Sequence, residues 1–416
     1  MAELNSSRKA TSEPLQEVQS RVFEGDRTLW IIYTVLIVTS ILVVYSSTAK
    51  MTYEVTSNMS LFDALQKQVM YVMVSVFAIF VTHKIHHRVI FKWTKVIYLV
   101  CLVLTIATYF VGVKTNDASR WIALGPVQFQ PSETLKIATI LMLARAMESR
   151  QAVITKLKLL PTSFKFRSPE QREIIRQNSI PLLGPVVASC VVIAPAHTSS
   201  ALIVFIASVI MLYIGRVSLK EIFKFCALIG LVGALGFSAM HATHAGRAGV
   251  ASGRLTQWYE HWFGDTEASN ISEISDTQRA LIAIHNGGLV GEGAGQSTSR
   301  VLVIHPESDY AYAFFVLEYG IILGLILMLL YIWIFFRAMD ISQRCTTPFP
   351  TLMTLGLGLL ITGQAILHIL VQTYILPETG QTLPFISRGG SSLIFTTIAL
   401  GVIISVSRSN EQKNRA

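Results

Sequence analysis

Charged side chains are scarce in this sequence, at 14% of 416 residues, whereas 52% of the residues are apolar. So little charge cannot keep so much aliphatic surface in water, which excludes a disordered chain and a protein that coats nucleic acid. The formal net charge is +9, from 34 Lys and Arg against 25 Asp and Glu. In a membrane protein this excess is typical of basic residues retained in cytoplasmic loops. The composition therefore predicts an integral membrane protein with no nucleic-acid partner.

Cysteine and nucleotide-binding motifs are also nearly absent. The four cysteines have no metal-ligand spacing, so we predict neither a disulfide nor a zinc site. The glycines between His285 and Gly295 follow no strand, and no Gly-Lys-Ser/Thr accompanies them, which argues against a phosphate-binding loop. The run is better suited to a backbone that turns sharply or approaches a lipid or ligand closely.

Apolar windows of transmembrane length recur along the chain, since a spanning helix needs about 20 mainly apolar residues. The unusually long stretch 180–215 is interrupted by Pro195-Ala196-His197-Thr198, which indicates two short spans joined by a tight turn. The sequence thus predicts an all-α membrane protein with ten crossings, or eight if 180–215 is a re-entrant hairpin. The predicted spans are 29–44, 69–81, 96–113, 135–147, the two halves of 180–215, 222–240, 311–336, 352–373 and 393–405.

Basic residues set the predicted orientation. Most of the 34 Lys and Arg fall in cytoplasmic segments if the amino terminus is inside, so both termini are predicted to be cytoplasmic. Residues 1–27 are predicted to be a flexible tail and not a signal peptide, 28–407 the membrane domain, and 408–416 a second tail. The outer loop 241–310, between the seventh and eighth spans, is too long for a simple connector and is predicted to carry function.

Three features of this outer loop and the following span draw attention. Ser275 to Gln278 is typical of a capping box that opens a helix, with an apolar face suited to the membrane interface. Asp309 precedes the span that starts at Ala311, where an N-cap role is the alternative to a functional one. Glu318 lies about two turns inside the span, where an unpaired charge costs about 2.5–3.5 kcal/mol, so it needs a partner.

Candidate partners cluster at the same outer interface. Arg120 and Gln130 precede the fourth span, whose start Pro131 marks. Glu133 and Lys136 lie in its first turns, and because they are three residues apart they could instead pair with each other.

The last outer loop, 376–392, contains two prolines and a glycine pair that prevent a continuous helix. Unpaired backbone at this depth is tolerated only beside protein or a polar cavity. Ser391 and Ser392 can cap the final helix, whose free N–H groups with Arg388 would suit an anion such as pyrophosphate. A plain structural turn is the alternative.

The order of these motifs resembles one known family. The set comprises Arg120-Trp121, Gln130 to Lys136, Gln278, the glycine run, Pro306 to Asp309, Glu318 with Gly320, and Thr382 to Ser392. Together they resemble the SEDS proteins of shape, elongation, division and sporulation, typified by FtsW and RodA, over about 29–405. Three positions depart from the family pattern: Pro195-Ala196 replaces Pro-Asp, Arg388 stands where Tyr is common, and His368 stands where Asn is typical.

The resemblance implies a peptidoglycan glycosyltransferase that polymerises lipid II at the outer face of the inner (cytoplasmic) membrane. Asp309 matches the family's essential acid and would serve as general base, while cations would stabilise the departing lipid pyrophosphate. A divalent cation, Mg²⁺ or Mn²⁺, held by Asp309 and Glu307 is a hypothesis; no metal site is predicted. The candidate substrate-binding residues are Arg120, Gln130, Glu133, Lys136, Gln278, Glu318, Arg388, Ser391 and Ser392.

The resemblance also implies partners: lipid II and undecaprenyl-pyrophosphate-linked glycan, a class B penicillin-binding protein transpeptidase, and other division proteins. The sequence of Gly380 to Pro384 and the long amino-terminal tail favour the FtsW branch over RodA. A lipid II flippase or other transporter is the alternative from a different class, although polar residues concentrate at the outer interface and no internal repeat is found. A scaffold without catalysis would leave Asp309 dispensable.

Overall fold

The computed structural model describes residues 23–51, 61–115, 118–124, 127–160, 173, 175–242, 248–264, 275–297, 299, 303 and 306–415. These residues form twelve α-helices and one small antiparallel sheet. The helices are α1 Arg27–Met51, α2 Leu61–Thr82, α3 His87–Val111, α4 Pro131–Glu148, α5 Ile180–Ile193, α6 Thr198–Ile214, α7 Leu219–Ala242, α8 Ala248–Phe263, α9 Asp276–Gly287, α10 Ala311–Gln343, α11 Pro348–Gln372 and α12 Gly390–Arg415. The strands are β1 Val113–Thr115, β2 Ala118–Leu124 and β3 Val127–Phe129.

Each predicted span coincides with a helix, namely α1 to α7 and α10 to α12. Among the described residues, six helices are long and apolar enough to cross a membrane: α1, α2, α3, α10, α11 and α12. α6 is a shorter apolar helix. α4 carries four charged residues, and α5 has 14 residues. The prediction of an all-α, multi-pass membrane protein is confirmed.

Both ends of the described chain lie at one end of the helical bundle, which we call the terminal end. Asp26, just before α1, pairs with Arg337 near the end of α10. Glu24 likewise pairs with Arg408 near the end of α12. The opposite end, which we call the Asp309 end, carries the loops that follow α3, α7 and α11. The predicted tail 1–27 falls mostly on residues 1–22, which lie outside the described residues.

The centre of the bundle is formed by α11 and α12, the most buried of the apolar helices. α11 packs against α10, α4 and α6, and α12 packs against α2. α7 is exposed along most of its described length and contacts α6 and α8. The loop between α11 and α12 is therefore anchored at both ends in the best-packed part of the molecule.

The helices α5 and α6 form a hairpin that extends from one end of the bundle toward the other. Near the start of the hairpin, Gln177 contacts Arg150, which lies just beyond the end of α4. Arg150 Nε donates to the backbone oxygen of Gln177 at 2.8 Å. At its turn, His197 Nδ1 lies 3.0 Å from Nε2 of Gln381, in the loop between α11 and α12. The turn of the hairpin therefore contacts the loop between α11 and α12, and the choice between ten and eight crossings stays a prediction.

α10 is broken at Gly320, whose φ of 85° and ψ of 166° are not helical. The glycine-rich run supplies the hydrogen bonds that the break removes. Ile321 N donates to Gly288 O at 2.9 Å, and Glu292 N donates to Leu317 O at 3.0 Å. A Cβ on Gly291 would stand 2.2 Å from the backbone oxygen of α10 residue Glu318. The glycine run therefore lies close to the backbone of α10, and its Gly288, Gly291, Gly293 and Gly295 have positive φ, which fits the predicted sharp turns.

Two elements of the Asp309 end were not predicted. The sheet β1–β2–β3 occupies the chain after α3, with Val113 opposite Trp121 and Ile122 opposite Phe129. Phe129 packs edge-on against Phe395 of α12, with ring centroids 5.4 Å apart. The second unpredicted element is α8, which lies in the long loop before α9. Both lie outside the long apolar windows from which the spans were predicted.

Candidate active site

The turn 306–310 carries Asp309 and is held in place by the loop between α11 and α12. The backbone N–H of Arg388 donates to Glu307 O, 2.6 Å away. The hydroxyl of Ser387 donates to Ser308 O at 2.7 Å. Because these bonds involve the backbone of the turn, they hold the backbone of Asp309 in place, and its side chain is half-buried.

The end of α11 also holds this turn. The side-chain amide of Gln372 donates to the backbone oxygen of Asp309, and its own oxygen accepts from Ala313 N at 2.8 Å. Asp309 Oδ2 lies 3.6 Å from the point where a Cβ on Gly380 would stand. The carboxylate therefore lies against the chain of the last loop at a position without a side chain.

A second carboxylate, Glu378, lies close to Asp309. Its Oε1 is 3.2 Å from Nη2 of Arg254 on α8, and it accepts a hydrogen bond from Tyr310. Burial raises the pKa of Glu378, the charges of Asp276 and Asp309 raise it further, and Arg254 and Tyr310 oppose the change. Burial likewise raises the pKa of Tyr310. Glu378 therefore lies between its partner Arg254 and the charges of Asp276 and Asp309.

The amphipathic helix α8 lies against the last loop. Trp258 Nε1 donates to Ile375 O at 3.2 Å, and Trp262 Nε1 donates to Tyr374 O at 2.9 Å. The adjacent face is apolar and exposed, a pattern suited to the membrane interface. Apolar residues recur every four positions on this face, and this spacing could have predicted the helix from the sequence. The exposed side chains are Leu255, Tyr259, Trp262 and Phe263.

Glu133 and Lys136 pair with each other in the interior of the Asp309 end. Lys136 Nζ lies 2.9 Å from Glu133 Oε1 and 2.9 Å from Gln364 Oε1, and the lysine is 1% exposed. Gln364 in turn donates to Thr382 O at 3.0 Å. This geometry favours the alternative in which the two charges neutralise each other and support the last loop.

Glu318 is also buried, and it is 1% exposed. Ser46 of α1 donates to its Oε1, and the backbone N–H of Gly295 donates to the same oxygen at 3.0 Å. The predicted need for a partner is thus met by α1 and the glycine run, and Lys136 is committed to Glu133 and Gln364. Glu318 joins three segments of the fold at the break in α10.

The remaining predicted residues join loops at the same end. Ser391 and Ser392 lie in the first turn of α12, but their hydroxyls bridge to other segments. Ser391 Oγ accepts from Gln130 N at 3.3 Å, and Ser392 Oγ lies 3.1 Å from Thr382 Oγ1. They therefore tie α12 to the start of α4 and to the last loop.

Three further predicted residues occupy different surroundings. Gln278 completes the predicted capping box, since its Oε1 accepts from Ser275 N at 2.9 Å. The buried face of α9 is Thr277, Ala280, Ala283 and Gly287, and α9 packs against α10. Of the predicted apolar face, Ala280 is buried, whereas Leu281 and Ile284 are half-buried. Arg120 lies on β2. Arg388 follows Ser387 in the last loop, with a half-buried side chain.

The structure thus brings Asp309, Arg388 and the start of α12 together, and it commits the pair Glu133–Lys136 and Glu318 to interior contacts. Sequence reasoning missed Tyr310 and Glu378, which lie near Asp309, and Arg254, which pairs with Glu378. Among the described residues, no group of three or more His, Cys, Asp and Glu side chains is arranged to hold a metal ion.

The architecture defines a multi-pass membrane protein with an acid-containing site at one end of its bundle. The family model of the FtsW, RodA and SpoVE cell cycle proteins matches residues 26–412, so the chain belongs to this family. Stage V sporulation protein E of Bacillus subtilis is 27% identical over 387 residues, covering 92% of this chain and 97% of the relative. Peptidoglycan glycosyltransferase MrdB of Escherichia coli is 27% identical over 383 residues, covering 92% and 93%.

A further relative is the probable peptidoglycan glycosyltransferase FtsW of Haemophilus influenzae, which is 28% identical over 394 residues, covering 92% of this chain and 91% of the relative. Two solved structures share the fold. One is from a study of polymerization and crosslinking by a peptidoglycan synthase complex, with a TM-score of 0.66, 19% identity and coverage of 93% and 99%. The other is the rod shape determining protein RodA of Thermus thermophilus, with a TM-score of 0.58, 18% identity and coverage of 93% and 97%.

Proposed function

We propose that this chain is a peptidoglycan glycosyltransferase that polymerises lipid II into glycan strands at the outer face of the cytoplasmic membrane. Membership of the family and the printed activities of its relatives support the reaction class. The observation that carries the proposal is the placement of Asp309, whose turn is held by hydrogen bonds from Arg388, Ser387 and Gln372 while its carboxylate lies against Gly380.

Asp309 would act as general base. The acceptor sugar hydroxyl must lose its proton as its oxygen attacks the donor's anomeric carbon, and the lipid pyrophosphate leaves with the electron pair of the broken bond. A well-placed base contributes about 10²–10⁴-fold to such a step.

The leaving pyrophosphate requires positive charge at the same level. Arg388 is the best-placed of the predicted cations, because it precedes α12, whose first backbone N–H groups favour anions. Arg120, on β2, is a second candidate. Lys136 would act indirectly, through its support of Thr382 in the last loop by way of Gln364.

A divalent ion could assist at Asp309 and Glu307. One carboxylate oxygen of Glu307 is buried with no hydrogen-bond partner in the described part of the chain, which suits an oxygen donor. Mg²⁺ is commonly held by one or two carboxylates together with substrate phosphates, so the residues fit. Its chemistry would be to neutralise charge on the pyrophosphate. Full polymerisation in strong chelator without added metal would argue against this ion.

We further propose that the terminal end faces the cytoplasm and the Asp309 end faces outward, consistent with the basic residues of the sequence. A class B penicillin-binding protein is the proposed partner, and the structural neighbour studied in a peptidoglycan synthase complex supports such a pairing. The sequence of Gly380 to Pro384 favours septal synthesis with other division proteins, as in the FtsW branch.

The test is polymerisation of labelled lipid II by the purified protein with its partner transpeptidase. Asp309→Asn and Asp309→Ala are expected to lose at least about 100-fold in rate, because the base is removed. Asp340→Asn is the matched control, since Asp340 pairs with Arg344 at the terminal end. Normal glycan synthesis by Asp309→Asn would refute the assignment. Scrambling of labelled lipid II without polymer would favour transport.

A further inference from the structure

The loop that lies against Asp309 is attached to α8 by an ion pair whose position is unusual. Glu378 is two residues before Gly380, the position that contacts the Asp309 carboxylate. Its partner Arg254 comes from a helix more than a hundred residues earlier in the chain. The side chains of Arg254 and Glu378 are 34% and 22% exposed, so water screens the pair only in part.

Glu378 connects four segments of the Asp309 end. It pairs with Arg254 of α8, accepts a hydrogen bond from the hydroxyl of Tyr310, and belongs to the last loop itself. The same hydroxyl lies 3.3 Å from Thr277 Oγ1 of α9. Tyr310 directly follows Asp309, so any displacement of Glu378 is transmitted to the residue next to the proposed base.

The charge of Glu378 is poorly explained by stability alone. Burial and the acids Asp276 and Asp309 disfavour its ionised form, and together they outweigh Arg254 and Tyr310, because the pKa of Glu378 is raised. A neutral residue of the same shape would therefore stabilise the fold at neutral pH. Acids that cost stability beside a site are frequently retained for the reaction.

We propose that the pair Arg254–Glu378 is a clasp that holds the loop carrying Gly380 at its working distance from Asp309, which makes both members positioning residues for the reaction. This inference rests on the proposed function. The clasp joins α8, with its exposed apolar face, to the loop at the reacting end. This ion pair, together with the hydrogen bonds of Trp258 and Trp262, links the position of α8 to the loop that contacts the proposed base.

A double-mutant cycle tests the clasp. Arg254→Gln, Glu378→Gln and the double variant are each expected to lower kcat for lipid II polymerisation about tenfold while KM changes less than about twofold, because misplacement acts on the chemical step. The losses should not add, since both single variants break the same pair. Arg254→Lys should recover most of the rate. Additive losses, or no loss, would overturn the proposal.

Stability supplies a readout that a merely structural pair would not give. Glu378→Gln is expected to be at least as stable as wild type at neutral pH although its kcat falls, whereas a structural role predicts that both fall together. The matched control is Glu24→Gln, which breaks the pair with Arg408 at the terminal end and should leave kcat unchanged. A fall in both stability and kcat of Glu378→Gln would refute the positioning role.

Hydrogen exchange separates failure of the clasp from failure of the proposed function, because it needs no activity. In Arg254→Gln the amides of 374–382 are expected to exchange at least about fivefold faster than in wild type, since opening of the loop becomes easier. Unchanged exchange would overturn the clasp even in an active enzyme. If the wild-type protein makes no glycan, faster exchange in the variant still supports the clasp, and the proposed function alone fails.

Discussion

The buried pair Glu133–Lys136 provides a quantitative test of whether Lys136 supports the fold or contacts the substrate. Its atoms lie 2.9 Å apart, the two residues are 7% and 1% exposed, and Lys136 also contacts Gln364. Lys136→Met would leave an uncompensated buried carboxylate, which costs about 3–5 kcal/mol of the free energy of unfolding. The double variant Glu133→Gln/Lys136→Met removes both charges and should recover most of that loss.

Thermal unfolding of the purified protein in detergent, followed by circular dichroism, measures these differences. The control is Arg344→Met, because Arg344 and Asp340 form a pair with a four-residue spacing whose side chains are 61% and 35% exposed. Breaking that pair should cost less than about 1 kcal/mol. If Lys136→Met is as stable as wild type, the reasoning from burial is wrong. If the double variant is stable but cannot polymerise lipid II, the pair serves the reaction as well as the fold, through Thr382 or by contact with the substrate.

Three further predictions concern the glycine run, the acids and α8. Gly291→Ala should cost more than about 2 kcal/mol, because φ is +92° and the new Cβ would lie 2.2 Å from a backbone oxygen, whereas Gly363→Ala, with nothing within 4 Å, should change the unfolding temperature little. The pKa of Glu378 is raised above its ordinary 4.5, so the wild-type protein should lose stability relative to Glu378→Gln as pH rises through that raised pKa. A difference in unfolding free energy between the two proteins that is the same at about pH 4 and about pH 7.5 would contradict this. If α8 lies at the membrane interface, a spin label at Tyr259→Cys should be relaxed more by oxygen in the lipid than by a water-soluble nickel complex. A spin label at Gln257→Cys should show the reverse.

Local patterns predicted their structures well. The capping box of Ser275 and Gln278 depends on residues three apart, and the turn before Thr198 is marked by Pro195 within an apolar stretch. The pairing of Glu133 with Lys136 was one of two alternatives that the spacing allowed. In each case the deciding contact lies within one or two helical turns, so the sequence contains it.

Contacts between distant segments could not be predicted. Ser46 is 272 positions from Glu318, and nothing in either neighbourhood indicates that they meet. The same holds for Gln381 with His197, which are 184 positions apart. Glu378 was passed over because a single acid between two prolines resembles an ordinary loop residue. Such contacts follow from how the helices pack, which is set by the whole chain.

The break at Gly320 has a consequence for chimaeric proteins. The backbone of α10 around the break bonds to the glycine run, and α9 packs against the first part of α10, so the described residues 276–297 and 306–322 form one interlocked block. An exchange with a relative that crosses over inside this block would combine mismatched halves of a single backbone joint. Crossovers placed before Ser275 and after Ile322 are expected to yield folded hybrids far more often.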